Sequence, residues 1–321
     1  NAKVVGIGLQ PEKDEIIFKS LKIKDKIKQY YLNINDYKKL NKVIKKEKPN
    51  IIFHLAAQSI VSESYENPLN TFKTNLIGST NLLESCRVNN IKNLVYITSD
   101  KCYLNKGKQI RYSEKDILGG DDPYSASKAG AEIIFHSYLK SFALNKNKIN
   151  FASGRAGNVI GGGDMKKNGI IPDIIRSIKN KEKLIVRNPN FIRPWQHVLE
   201  ATSDYLMLGH LLITRSLNKN LYPSWNFGPK NKKNKNVIQL VKEFFLAWGI
   251  KNNYKFLKLK KFKEAKLLIL DSKKSQKELK WQTRLSFKET VRLTVEWYKN
   301  FLLKKDVEKF TISQIKYFLK K

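Results

Sequence analysis

The sequence predicts an α/β protein built on a parallel sheet wound with helices on both faces. Three observations carry that prediction. Short apolar runs alternate with helix-length segments through the first half of the chain. The run Ile51-Ile52-Phe53-His54-Leu55-Ala56 is nearly continuous in its apolar character, as a strand covered on both faces requires. Asx and proline residues punctuate the helix starts at Asp36, Asn67-Pro68 and Asp122-Pro123.

In chain order, Val4 to Ile7 reads as a short strand and Gln29 to Ile34 as another. A helix follows from Asp36 to Lys48, stopped by Pro49. After the strand at 51–56, Asn67 caps a long helical pattern that fades at Asn89-Asn90. Asn93 to Ile97 is strand-like, and a loop with Gly107, Gly119 and Gly120 leads to a helix from Pro123 to about Ala143. Ile149 to Ala156 is a further strand. After Gly161-Gly162-Gly163 the alternation is lost. The expected organisation is a first domain over 1–163 and a smaller lobe over 164–321, with Ser224 to Phe227 returning one strand to the first domain. The Lys/Asn-rich stretch 230–236 reads as an exposed loop.

Composition narrows the function classes. The 321 residues hold 62 basic and 28 acidic side chains, a net charge of +34. The lysines form no single tract and accompany an excess of Asn and Ile, the signature of a compositional bias rather than of nucleic-acid binding. No nucleic-acid motif is present, and no run reaches the roughly 18 apolar residues of a membrane span. Two cysteines, Cys86 and Cys102, give neither a disulfide framework nor metal-ligand spacing, so no metal site and a cytoplasmic setting are expected.

Ligands of such sheets bind beyond the carboxyl ends of the strands. Two segments fall there. One is Thr98-Ser99-Asp100-Lys101-Cys102-Tyr103, with an acid and a base side by side. The other is Leu55-Ala56-Ala57-Gln58. Tyr124 and Lys128, four apart at a helix start, share one helical face. An ammonium near a phenol lowers the phenol's pKa and would make it a general base. Trp195 and Trp281 read as core, and His197 as a packed, hydrogen-bonded residue.

Together, HLAAQ at 54–58, SDK at 99–101, Tyr124-x-x-x-Lys128 and RAGNVIGGGD at 155–164 resemble the extended short-chain dehydrogenase/reductase family of NAD-dependent epimerases and dehydratases. TSDKCY, LGGDDPYSASK at 118–128 and IRPWQHVLE at 192–200 are similar to its CDP-glucose 4,6-dehydratase branch. The resemblance implies a Rossmann-like fold, NAD as cofactor, a nucleotide-diphosphate sugar (CDP-glucose) as substrate, and a cytoplasmic homodimer. It implies oxidation at C4, loss of water across C5 and C6, and hydride return to C6, in deoxysugar biosynthesis for surface polysaccharide.

It also implies roles. Tyr124 takes the C4 hydroxyl proton, Lys128 holds the phenolate and the nicotinamide ribose, and Ser99 orients the hydroxyl. Asp100 protonates the departing C6 oxygen, which requires a raised pKa. Lys101 has two readings: it removes the C5 proton as a neutral amine, or it stabilises the enolate as an ammonium. Asn33, Ile34, Leu55, Ala56, Ala57 and Gln58 would line the cofactor. Gln58, Asn158, Arg187 and Arg193 would meet the substrate, the arginines as diphosphate clamps.

Departures accompany the match. The family's Gly-rich pyrophosphate turn is not in the sequence. The first strand read here corresponds to the family's second, so the expectation is an N-terminally truncated chain that binds NAD weakly. Gln10 and Asn33 stand where relatives carry acids for the adenosine end, which leaves NAD versus NADP open. An epimerase of the same fold would need no acid at Asp100. A non-catalytic cationic binder would show steep salt dependence toward RNA.

Overall fold

The computed structural model describes residues 2–12, 15–107, 110–143, 149–214, 223–229, 235–257 and 265–321. The first half begins with β1 (Val5–Gly8), α1 (Ile16–Ser20), β2 (Lys28–Tyr31), α2 (Tyr37–Glu47) and β3 (Ile52–His54). It continues with α3 (Val61–Glu66), α4 (Pro68–Phe72), α5 (Ser79–Val88), β4 (Asn93–Ile97), α6 (Pro123–Tyr138) and β5 (Asn150–Ala156). A π-helical turn joins α4 to α5, and another extends α6 to Ala143. The helix starts are capped as the sequence suggests: Asp36 accepts from the Lys39 amide, Asn67 from Asn70 and Asp122 from Ser125.

Four strands pair in parallel in the order β10-β5-β4-β3, where β10 is Ser224–Phe227. The strand expected to return from the second half therefore does so, beside β5. A separate parallel pair is formed by β1 and β2. Successive residues of β4 show why the sheet is buried on both sides. Leu94 and Tyr96 enter a core with α2, α5 and α6, while Val95 enters another with Tyr205 and Leu208, which lie on α8 (Val198–Ile213). Both cysteines are free and wholly buried, Cys86 in the first core and Cys102 beside the sheet edge.

The rest of the chain supplies β6 (Val159–Ile160), α7 (Ile170–Asn180), β7 (Leu184–Val186), β8 (Ile192–Arg193), β9 (Gln196–His197), β11 (Lys235–Asn236), α9 (Val237–Trp248), β12 (Tyr254–Phe256), α10 (Lys273–Leu279), α11 (Phe287–Leu302) and α12 (Val307–Leu319). Its own core joins Ile174, Val186, Trp195, Phe244, Val291 and Trp297. Gly162 lies flat under the Trp297 ring, where a Cβ would come within 2.1 Å of ring atoms. Part of the expected loop over 230–236 is corrected: Lys235–Asn236 pairs with β8, and 230–234 lie outside the described residues. The pairing satisfies two backbone groups that a solvated loop would leave to water.

Helix ends carry the compositional bias. α2, α7 and α10 stop at Lys48, Lys181 and Lys280 in left-handed conformation, with φ of 43°, 58° and 52°. Only Gly249, at the end of α9, has the residue type such a cap favours among these four.

Candidate active site

The strand β4 delivers Thr98 and Ser99 to the carboxyl edge of the sheet, and Asp100–Cys102 form one 3-10 turn there. That turn packs against the start of α6, which carries Tyr124 and Lys128. Gly120 lets the loop before α6 lie against the helix's own first turn, because a Cβ on it would lie 2.4 Å from the Ser125 carbonyl carbon. Ser99, Asp100, Lys101, Tyr124 and Lys128 are all at most 9 % exposed. The turn and the helix start, whose site residues lie 23 to 29 positions apart, thus converge in one buried site.

Ser99 links its neighbours. Its Oγ donates to Asp100 Oδ1 at 3.0 Å and accepts from the Lys101 amide at 3.2 Å. The second carboxyl oxygen of Asp100 is buried without a partner among the described residues. Burial raises the pKa of Asp100, and this outweighs the opposing pull of Lys101, Ser99 and Arg193. The sequence sets an acid beside an ammonium that would keep it ionised; the solvent-excluded setting reverses the balance.

Tyr124 and Lys128 depart from expectation. Burial pushes the Tyr124 phenol up, and the carboxyls of Asp100 and Asp122 add to the rise, against the opposing pull of the Ser99 hydroxyl. Lys128 is itself lowered to about 8 by burial. The expected lowering of the phenol by its lysine is therefore not met in the chain alone, because desolvation of a phenolate dominates.

The cofactor candidates divide. Leu55 and Ala56 are exposed at the end of β3, and a Cβ on Gly8 at the end of β1 would meet nothing within 4 Å. Ala57 is half-buried. Ile34 is buried in the α2–α5 core, and Asn33 is exposed with its side chain accepting from the Asn35 amide. Gln58 is spent inside the protein, its carboxamide bonded to Thr71 and to both backbone groups of Ile60. The Lys128 ammonium, 7 % exposed, has no hydrogen-bond partner among the described residues. An orphaned cation beside open strand ends fits the ribose diol and extended body of a dinucleotide. Gln10 and Asn33, the positions expected at an adenosine end, are both neutral.

The substrate candidates also divide. Arg193 is 4 % exposed, donates to the Ile192 and Lys266 carbonyls at 2.9 and 3.5 Å, and its charge opposes the rise in the Asp100 pKa. Arg187 instead pairs with Asp173 at 3.2 Å. Asn158 is half-buried, its carbonyl accepting from the Gln196 amide at 3.0 Å. Trp195 and Trp281 are core, and His197 is buried, its Nδ1 accepting from the Leu199 amide.

Sequence reasoning gave no role to Glu132 and named Arg155 only in passing. Both are fully buried and joined at 2.7 Å. Burial pushes the Glu132 carboxyl up, but Arg155 and hydrogen bonds from His136 and Ser153 hold it well below the usual range. The available signal was an acid in the apolar stretch Ala129 to Phe135, on the same face as Tyr124 and Lys128.

The family model described as GDP-mannose 4,6 dehydratase matches residues 12–294. CDP-glucose 4,6-dehydratase of Salmonella typhimurium is 39 % identical over 311 residues, covering 95 % of this chain and 86 % of that protein. Among solved structures, a dTDP-glucose 4,6-dehydratase from Streptomyces venezuelae with NAD bound superposes with TM-score 0.80 at 17 % identity, covering 95 % of this chain and 89 % of that one. A dTDP-glucose 4,6-dehydratase from Bacillus anthracis in complex with NAD gives 0.74 at 20 % identity, covering 93 % and 97 %.

Proposed function

The chain belongs to the GDP-mannose 4,6 dehydratase family, and from that premise we propose that it converts CDP-glucose to CDP-4-keto-6-deoxyglucose as a NAD-dependent hydro-lyase. The observation that carries the dehydratase reading is Asp100, a buried carboxyl with raised proton affinity and one oxygen left without a hydrogen-bond partner among the described residues. An epimerase releases no water and needs no such acid. The cytidine rests on the 39 % identity to the Salmonella enzyme.

NAD⁺, when bound, supplies the hydride acceptor for C4 and returns the hydride to C6. The chain's own residues handle protons. The positive nicotinamide of bound NAD⁺, added to the Lys128 ammonium, would favour the Tyr124 phenolate. Tyr124 then accepts the C4 hydroxyl proton as C4 becomes a ketone, which acidifies the C5 proton. Lys101 takes that proton and later restores it. The C6 hydroxyl leaves as water with the proton of Asp100. Net loss is one water, and the proton gained by Tyr124 replaces the one given up by Asp100 before the next turnover. The cationic Lys128 holds the ribose, and Arg193 meets the diphosphate. The domain over 1–163 carries the cofactor and the lobe over 164–321 closes on the sugar nucleotide.

The protein works in the cytoplasm as a homodimer that supplies deoxysugar for surface polysaccharide. Two buried free cysteines suit a reducing compartment, and no helix among the described residues is long and apolar enough to cross a membrane. The dimer surface is the face where α4 and the π-helical turn after it pack against α6 and expose Leu69, Ile77 and Ile133 at 78 %, 54 % and 57 %. Incubation with CDP-, dTDP-, UDP- and GDP-glucose and saturating NAD⁺ should give the alkaline absorbance of a 4-keto sugar with CDP-glucose foremost. Absence of that product from all four overturns the reading.

A further inference from the structure

One buried ion pair grips both ends of the segment Thr98 to Tyr103. At the near end, Thr98 Oγ1 donates to Glu132 Oε1 at 2.5 Å. At the far end, Arg155 Nη1 donates to the Tyr103 hydroxyl at 2.8 Å, and that hydroxyl donates to Asn226 Oδ1 at 2.7 Å. Glu132 and Arg155 close the ring between them at 2.7 Å, and Ser153 Oγ adds a bond to Glu132 Oε1 at 2.5 Å. Glu132 stands one turn beyond Lys128 on α6, while Ser153 and Arg155 stand on β5. Ser99, Asp100 and Lys101 are slung between the two fixed ends.

Stability alone gives little reason for this arrangement. Taking an arginine and a glutamate out of water costs several kcal/mol per ion, and apolar replacements of such pairs are often neutral or stabilising. Burial opposes the charge on Arg155, and its Nε is left without a partner among the described residues. Position is what the pair provides. A misplacement of about 1 Å at a reacting centre can cost about a hundredfold in rate.

We infer that Glu132 and Arg155 are positioning residues, which fix the two ends of the Thr98–Tyr103 segment so that Ser99 and Asp100 face Tyr124. This rests on the dehydratase reading of the turn.

The test detaches one end at a time. Thr98→Val and Tyr103→Phe each delete one hydroxyl and keep the shape. Each should lower kcat on CDP-glucose about tenfold or more, with KM changed by less than about threefold, since a positioning loss is felt in the transition state. Thr98→Ser keeps the donor and should restore the rate. Tyr298→Phe is the control: it deletes an equally buried hydroxyl, which donates to the Asp164 carbonyl at 2.6 Å in the second lobe, and should lower Tm with kcat unchanged. Wild-type kcat in both turn variants overturns the inference alone, as does a loss in Tyr298→Phe matching theirs. A wild-type protein inactive on all four nucleotide glucoses overturns the dehydratase reading and the inference with it.

Discussion

Asp100 and Lys101 occupy adjacent positions of one buried turn, and burial of the carboxyl prevails over the attraction of the neighbouring ammonium. An acid so placed retains its proton at higher pH than an ordinary aspartate and can give it to a leaving oxygen.

Asp100→Asn should therefore slow water loss about 10²- to 10⁴-fold, the usual contribution of a general acid. Oxidation at C4 does not use this proton and should continue. Stopped-flow absorbance should show reduced nicotinamide accumulating on the variant. Dehydration at the wild-type rate would remove Asp100 from the mechanism.

Lys101→Met separates the two readings of the lysine. Under the base role, exchange of the C5 hydrogen with deuterated water, followed by mass spectrometry, should fall below detection. Undiminished exchange would leave Lys101 as a stabiliser of the enolate only.

Lys128 makes stability depend on pH. Its pKa in the folded chain is about 8, against 10.5 when exposed. Between those values the unfolded chain binds more protons, so this group makes stability rise with pH across that window. Below pH 8 the full cost of burying the charge is present. Lys128→Met should therefore raise stability at pH 7 by up to about 3 kcal/mol and lose its advantage above the unfolded pKa. The same variant should be inactive. Denaturant titrations of both proteins at pH 7 and above pH 10.5 decide the point.

The left-handed lysines ending α2, α7 and α10 carry a steric cost that glycine does not. Lys48→Gly, Lys181→Gly and Lys280→Gly should each add about 0.5–1 kcal/mol, after allowance for the greater entropy glycine loses. The triple variant should show a higher Tm by calorimetry. A lowered Tm would mean that these lysines contribute contacts beyond the backbone.

Much of the fold was legible because local chemistry and global position agreed. Asp36, Asn67 and Asp122 cap helices where an Asx residue precedes a helical pattern, and the apolar strand at Asn93–Ile97 is covered on both faces. The two-residue strands Val159–Ile160, Ile192–Arg193 and Gln196–His197 were not legible, since two residues display no period. Within the site, the residues aimed at substrate were visible as motifs. Glu132 was not, because a charged residue in a Lys- and Glu-containing sequence reads as surface until a partner such as Arg155 is seen beside it. The pKa of Tyr124 went the other way for a related reason: spacing shows which charge is near, and says nothing of how much water has been excluded.

Cys102 ends the 3-10 turn within the gripped segment, while Cys86 lies in the α2–α5 core. Burial pushes the Cys86 thiol up to about 12 and raises Cys102 as well, so both are silent toward disulfide reagents while the chain stays closed. The molecule thus carries two internal clocks. Thiol modification at Cys86 times opening of the main core, and modification at Cys102 times loosening of the catalytic turn, which can occur on its own. The ratio of the two labelling rates reads out, without any substrate, how tightly the acid is held.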